Sequence, residues 1–133
     1  SDVKGHVIVF ALAELLKLRR RIVRWTKDIN ESELEIGEVD MATKAAIICL
    51  VHFGSHCIHF DAKVAYDQFP VCDAISQLRC FKKGRDYYRL LTAPTGQRQT
   101  AEVAHNTLQK IIHAPGKECT SVAIIDNAVF VGS

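Results

Sequence analysis

Apolar residues recur along this chain in short runs separated by polar clusters, and the spacing inside each run predicts an element. From Val7 to Leu18, Phe10, Ala13 and Leu16 join Ala11, Leu15 and Leu18 at helical spacing, which predicts a helix; Val7-Ile8-Val9 either begins it or forms a short strand. Arg19 to Trp25 reads as a short strand flanked by bases, and 26–30 as a turn. Glu31 to Gly37 is acidic and reads as loop or short helix. Thr43 is placed to cap a helix reaching Phe53, with Ala46, Ile47, Leu50 and Val51 as its apolar face and Gly54 as its stop. Cys57 to Phe60 is a strand that delivers Asp61, and residues 62–69 make a turn or short helix closed by Pro70.

Asp73 to Leu78 is a brief helical segment. Leu78 to Phe81 and Tyr87 to Leu91 form a hairpin with a basic tip, Lys82-Lys83-Gly84-Arg85-Asp86. After a loop at 92–96, Gln99 to Ile112 is a helix with Val103, Ala104, Leu108, Ile111 and Ile112 on its apolar face. Ala114-Pro115-Gly116-Lys117 breaks it. The apolar runs Ser121–Ile125 and Ala128–Val131, split by Asp126-Asn127, read as a closing hairpin. Interspersed helices and mainly antiparallel strands make the fold class α+β. The expected architecture is a small antiparallel sheet with helices on one face, with an N-terminal segment at 1–56 and a core at 57–133 in one compact domain.

Composition changes this picture little. The 133 residues suffice for one core, and 48% apolar with 24% charged is ordinary for a folded chain. The net charge of +2 is weak evidence about partners, but its distribution says more: Lys17, Arg19, Arg20, Arg21, Arg24 and Lys27 cluster, as do Arg79, Lys82, Lys83, Arg85 and Arg89. Bases interleaved with aromatics fit a polyanion partner as well as a solvated face. Five cysteines, an odd number without a CxxC, read as reduced thiols of an intracellular protein, with Cys80 and Cys119 as small core residues. The Val7–Leu18 run is too short to span a membrane and contains Glu14 and Lys17, so no membrane association is expected. An end at Gly132-Ser133, directly after a strand-like run, is expected of an excerpt or surviving fragment.

The candidate chemistry rests on Asp61 and Asp126. Carboxylates are ligands for hard cations such as Mg²⁺, and two acids meeting at one sheet edge make a two-metal site. Read alone, Asp61 ends a strand and Asp126-Asn127 is a turn tolerant of left-handed backbone. His52, His56, Cys57 and His59 lie close in sequence, but Gly54 and Ser55 interrupt the helical spacing that a zinc site would use.

Taken in order, these stretches resemble the fingers–palm region of a reverse transcriptase. Asp61-Ala62-Lys63-Val64-Ala65-Tyr66 is similar to the family's first metal-binding motif, an Asp followed five residues later by an aromatic. Pro94-Thr95-Gly96-Gln97 is similar to its Pro-Gln-Gly loop, and Ile124-Ile125-Asp126-Asn127 sits where the family has aromatic-x-Asp-Asp. The phrasing Asp67-Gln68-Phe69, and Gly96-Gln97-Arg98-Gln99 with Ala101 to Ala104, resembles the tyrosine-recombinase group of retrotransposons. The resemblance covers residues 19–133, and departs from the pattern where Ile124 replaces the aromatic and Asn127 the second Asp.

The resemblance implies an RNA-directed DNA polymerase with Asp61 and Asp126 catalytic. With Asn127 they would be ligands to Mg²⁺ or Mn²⁺. It implies nucleotide contacts from Tyr66 (a steric gate under the sugar), Gly96, Gln97, Arg21 and Arg24. Arg19, Arg20, Lys82, Lys83 and Arg85 are the expected nucleic-acid contacts. Partners would be an RNA or DNA primer-template and a deoxynucleoside triphosphate, and a thumb and accessory domains would complete the enzyme. The alternative is an inactive remnant of such a palm, serving as a nucleic-acid-binding or protein-interaction module.

Overall fold

In the computed structural model, residues 4–32, 39–113 and 119–132 are described. The expected segment at Glu31–Gly37 falls mostly outside them, as do the helix-breaking residues 114–117 and Ser133. Helices alternate with small antiparallel sheets, so the fold is α+β. The chain divides into two compact units, each assembled from two stretches of sequence: residues 1–35 with 66–100, and residues 36–65 with 101–133.

The first unit holds two hairpins. Strands β1 (Ile8–Glu14) and β2 (Arg19–Trp25) pair antiparallel from Ile8 opposite Trp25 to Glu14 opposite Arg19. The helix expected over Val7–Leu18 is therefore a strand, followed by a single 3₁₀ turn at Leu15–Lys17 that leaves Leu15, Leu16 and Leu18 exposed. The Val-Ile-Val start and the β-formers of β2 favour pairing, and helical spacing at the turn was the weaker signal. Residues 26–30, expected as a turn, mostly enter a short helix, α1 (Lys27–Ser32). After a 3₁₀ turn at Ala65–Gln68 and helix α3 (Asp73–Gln77) comes the second hairpin, β4 (Cys80–Lys83) and β5 (Asp86–Arg89). Its two-residue loop puts Gly84 at φ 64 in the first central position, where an L side chain is disfavoured. Phe81 stacks on Tyr88 and Lys82 lies over the Tyr87 ring. Cys80 is buried, as expected, and exchanges backbone hydrogen bonds with Gly5 and Val7.

The second unit is a three-stranded sheet with two helices. Helix α2 (Lys44–Phe53) begins at Thr43, whose Oγ1 accepts from the Ala46 N–H, as expected of that cap. Its expected apolar face is only partly covered: Ile47 and Leu50 are half-buried, Ala46 and Val51 exposed. Strand β3 (His56–Asp61) pairs antiparallel with β7 (Asn127–Gly132), which pairs on its other side with β6 (Thr120–Ile124). The order is β3-β7-β6, so β7 is central. As an edge strand β3 leaves all six residues exposed, Phe60 at 56%.

Helix α4 (Arg98–Ile112) starts in the first unit and packs its C-terminal part here. Ile112, with half-buried Leu108, meets Ala123, Ala128 and Phe130, forming the core of the sheet. The small alanines let the helix approach closely. Of the expected face, Ala104 and Ile112 are buried and Leu108 half-buried, but Val103 and Ile111 are exposed, and His105 joins the buried side instead. Among the described residues no helix is long and apolar enough to cross a membrane.

Candidate metal-binding rim

Strand alternation decides which side chains meet. Pairing of β3 with β7 sets Asp61 opposite Asn127, His59 opposite Val129 and Cys57 opposite Val131, all on one face. Phe60, Ile58, Ala128 and Phe130 occupy the other face, where α4 packs. The two acid-bearing stretches, 65 residues apart in sequence, therefore reach the same end of one sheet, and the Ala62 N–H donates to the Asp126 carbonyl at 2.8 Å.

Opposed residues in an antiparallel pair have Cα atoms about 5 Å apart, and one more residue adds about 4 Å. The Cα atoms of Asp61 and Asp126 thus lie within about 9 Å. The Asp126 carboxylate is fixed more closely than that. Its Oδ1 accepts from Asn127 Nδ2 at 2.9 Å, which sets it beside a side chain on the Asp61 face. Asn127 Oδ1 in turn accepts from His59 Nε2 at 3.0 Å.

The turn differs by one residue from the expected one. Its central residues are Ile125 and Asp126, while Asn127 already begins β7. Ile125 takes φ 56, a left-handed conformation that costs a β-branched residue about 1–2 kcal/mol. His105, with 0% exposure, supports it: Nδ1 accepts from the Ile125 N–H at 3.1 Å, and Nε2 donates to the Asp40 carbonyl at 2.9 Å. Val64, three residues after Asp61, is also left-handed at φ 52. Two of the three non-glycine residues with positive φ among the described residues thus flank the acids, and strained backbone of this kind concentrates at functional sites.

Carboxylate oxygens are the donors that a divalent pair would take here. Asp61 is exposed at the strand end and Asp126 half-buried, both with carboxylate oxygens to offer. Asn127 fits less well as a ligand, because its oxygen already accepts from His59 and its amide nitrogen faces Asp126. Among the described residues no group of three or more His, Cys, Asp and Glu converges as a closed metal cage. The histidines grouped by sequence have separate partners: His52 bonds the Ile48 carbonyl, His56 the Ser55 hydroxyl and His59 Asn127.

The remaining expected site residues belong to the first unit. The arginines of β2 split between faces, Arg19 and Arg21 on one, Arg20 and Arg24 on the other. Arg21 and Arg24, expected to hold one triphosphate together, therefore project from opposite faces. Arg19 and Arg21 pair with Glu14, and that carboxyl is held below the usual glutamate range by the Arg19 hydrogen bond, against some desolvation, with the Arg19, Lys17 and Arg21 charges adding to the lowering. Arg24 binds Asp67 at 2.7 Å, and Thr92 donates to the same oxygen, which makes Asp67 a structural acid. Arg20 makes no ion pair among the described residues, and Lys82, Lys83 and Arg85 are exposed.

Tyr66 is half-buried in the 3₁₀ turn at Ala65–Gln68. Gly96 is exposed at φ 94, whereas Gln97 is buried at 3% exposure. The loop is clamped by Asn30, which donates to the Gly96 carbonyl at 2.8 Å and accepts from the Arg98 N–H at 3.1 Å. Sequence reasoning missed this clamp and His105. For His105 there was a signal, a polar residue inside the apolar stripe of α4; for Asn30 there was none.

Comparison of the chain with known protein families and with curated proteins returns no match.

Proposed function

We propose that this chain is the fingers–palm part of an RNA-directed DNA polymerase of retroelement type, with Asp61 and Asp126 as its metal-holding acids. The observation that carries the reading is the register of β3 against β7, which sets the first and last of the resembling motifs at one rim. In this reading Asp61 and Asp126 hold the divalent pair from two adjacent strands, His105 fixes the turn that presents Asp126, and the bases of the two hairpins attract phosphates. Bound Mg²⁺ or Mn²⁺ would supply Lewis-acid charge at the primer 3′-hydroxyl and on the phosphates. Tyr66 and Gly96 keep the nucleotide contacts that the resemblance gives them. Buried Gln97 acts by opening α4, since its backbone carbonyl accepts from the Thr100 N–H.

Primer extension tests the reading directly. With Mg²⁺ or Mn²⁺, the wild type is expected to incorporate nucleotide and Asp61→Ala to lose that activity. Equal incorporation by the two would remove Asp61 from the mechanism. A second reading, a nucleic-acid-binding remnant without chemistry, is favoured by one observation: the neutral Asn127, tied to His59, stands where the resembling family carries an acid. Primer-template binding without incorporation, with or without Asp61, would select it.

A further inference from the structure

We infer that His59 is a positioning residue for the Asp61–Asp126 rim, acting through Asn127, and that Asn127 is a relay rather than a metal ligand; this rests on the polymerase reading above. The chain of contacts runs across two strands, from His59 Nε2 to Asn127 Oδ1 at 3.0 Å and from Asn127 Nδ2 to Asp126 Oδ1 at 2.9 Å. Its direction is fixed by chemistry. A carboxylate oxygen accepts only, so the Asn127 amide must turn its NH₂ toward Asp126. Its carbonyl then faces β3, and the imidazole nitrogen meeting it must carry a hydrogen. The reversed amide would set an oxygen against the Asp126 carboxylate.

The arrangement gives a reason for a neutral amide at position 127. An aspartate there could not donate to the ionised Asp126, and would add a like charge beside it. An asparagine donates, and His59 stops it from rotating away. His59, Asp61 and Asn127 share one face of the β3–β7 pair, so the relay borders the acid that Asp61 supplies from the neighbouring strand. Groups that orient ligands without touching the metal typically change its affinity by about ten- to a hundredfold when removed.

Mn²⁺ titration of the whole chain, followed by electron paramagnetic resonance of the free ion, tests this without any turnover. The wild type is expected to bind Mn²⁺, and Asp61→Ala and Asp126→Ala to lose binding. His59→Leu should weaken it by about tenfold. His59→Gln, which restores an N–H donor of similar reach, should recover most of that loss. Because His59 works through Asn127, the double variant His59→Leu/Asn127→Ala should bind no more weakly than Asn127→Ala alone. Wild-type affinity in His59→Leu, or losses that add in the double variant, would overturn the relay and leave the metal rim standing. Absence of Mn²⁺ binding by the wild type would overturn the rim and the relay with it. His59 and Asp61 lie on an exposed edge strand, so variants at these two positions are expected to keep the wild-type far-ultraviolet circular dichroism.

Discussion

His105 shows how one side chain can hold a site it does not belong to. It has no exposed surface, spends one ring nitrogen on the strained Ile125 and the other on the Asp40 carbonyl, and so links α4, the β6–β7 turn and the residues before α2. Its removal leaves a cavity and two unsatisfied backbone groups. His105→Ala is expected to cost about 2–4 kcal/mol in urea denaturation, and to weaken Mn²⁺ binding because the Asp126 turn loses its support. Wild-type stability in that variant would mean that the turn is held by other contacts. The placement of Asp61 at a strand end and of Asp126 in a turn was legible in the sequence, because each ends or interrupts an apolar run. The burial of His105 was legible only in part: its place in the apolar stripe of α4 was a signal, but the partner that makes burial of an imidazole favourable comes from the folded turn.

At the level of elements, the closing hairpin, the β4–β5 hairpin and the Thr43 cap could be read from local chemistry, since each is decided by residues a few positions apart. The first hairpin could not. Phe10, Ala13 and Leu16 satisfy a helical period, and the choice of strand is made by pairing with β2 along seven positions, Ile8 opposite Trp25 through Glu14 opposite Arg19. Gly54 illustrates a second kind of decision. Its backbone is an ordinary extended one, so nothing local demands glycine, yet a Cβ there would collide with Val131 Cγ1 and stand 2.5 Å from the Gly132 carbonyl oxygen. Gly54→Ala is therefore expected to destabilise the β3–β7 end of the sheet by about 1–3 kcal/mol, through overpacking against backbone that cannot yield. A shift of the urea midpoint measures it, and an unchanged midpoint would show that the α2–β3 junction can move.

Across the whole molecule, charge is distributed unevenly between the two units. The stretches 1–35 and 66–100 contain thirteen of the seventeen Lys and Arg but nine of the fifteen acids, giving +4, whereas the stretches with the acidic rim carry −2. The near-neutral total hid this, although the basic clusters were visible by eye. Folding then sorts the bases further, because Glu14 and Asp67 occupy Arg19, Arg21 and Arg24 and leave Arg20 without an acid among the described residues. Primer-template binding by Arg20→Ala is expected to show a salt slope smaller by about 0.9, the value of one phosphate contact, with a lesser change for Arg19→Ala. Fluorescence anisotropy across a salt series reads both, and equal slopes in all three proteins would remove the β2 arginines from phosphate contact. The sheet order carries a different consequence. β7 lies between β3 and β6 although it follows both in the chain, and 68 residues separate His59 from Asn127. A ribosome making this protein has therefore extruded β3 well before the strand that completes it, and over that interval the backbone donors and acceptors of β3 stand without their partner strand, open to pairing with another polypeptide, which a chaperone is suited to prevent.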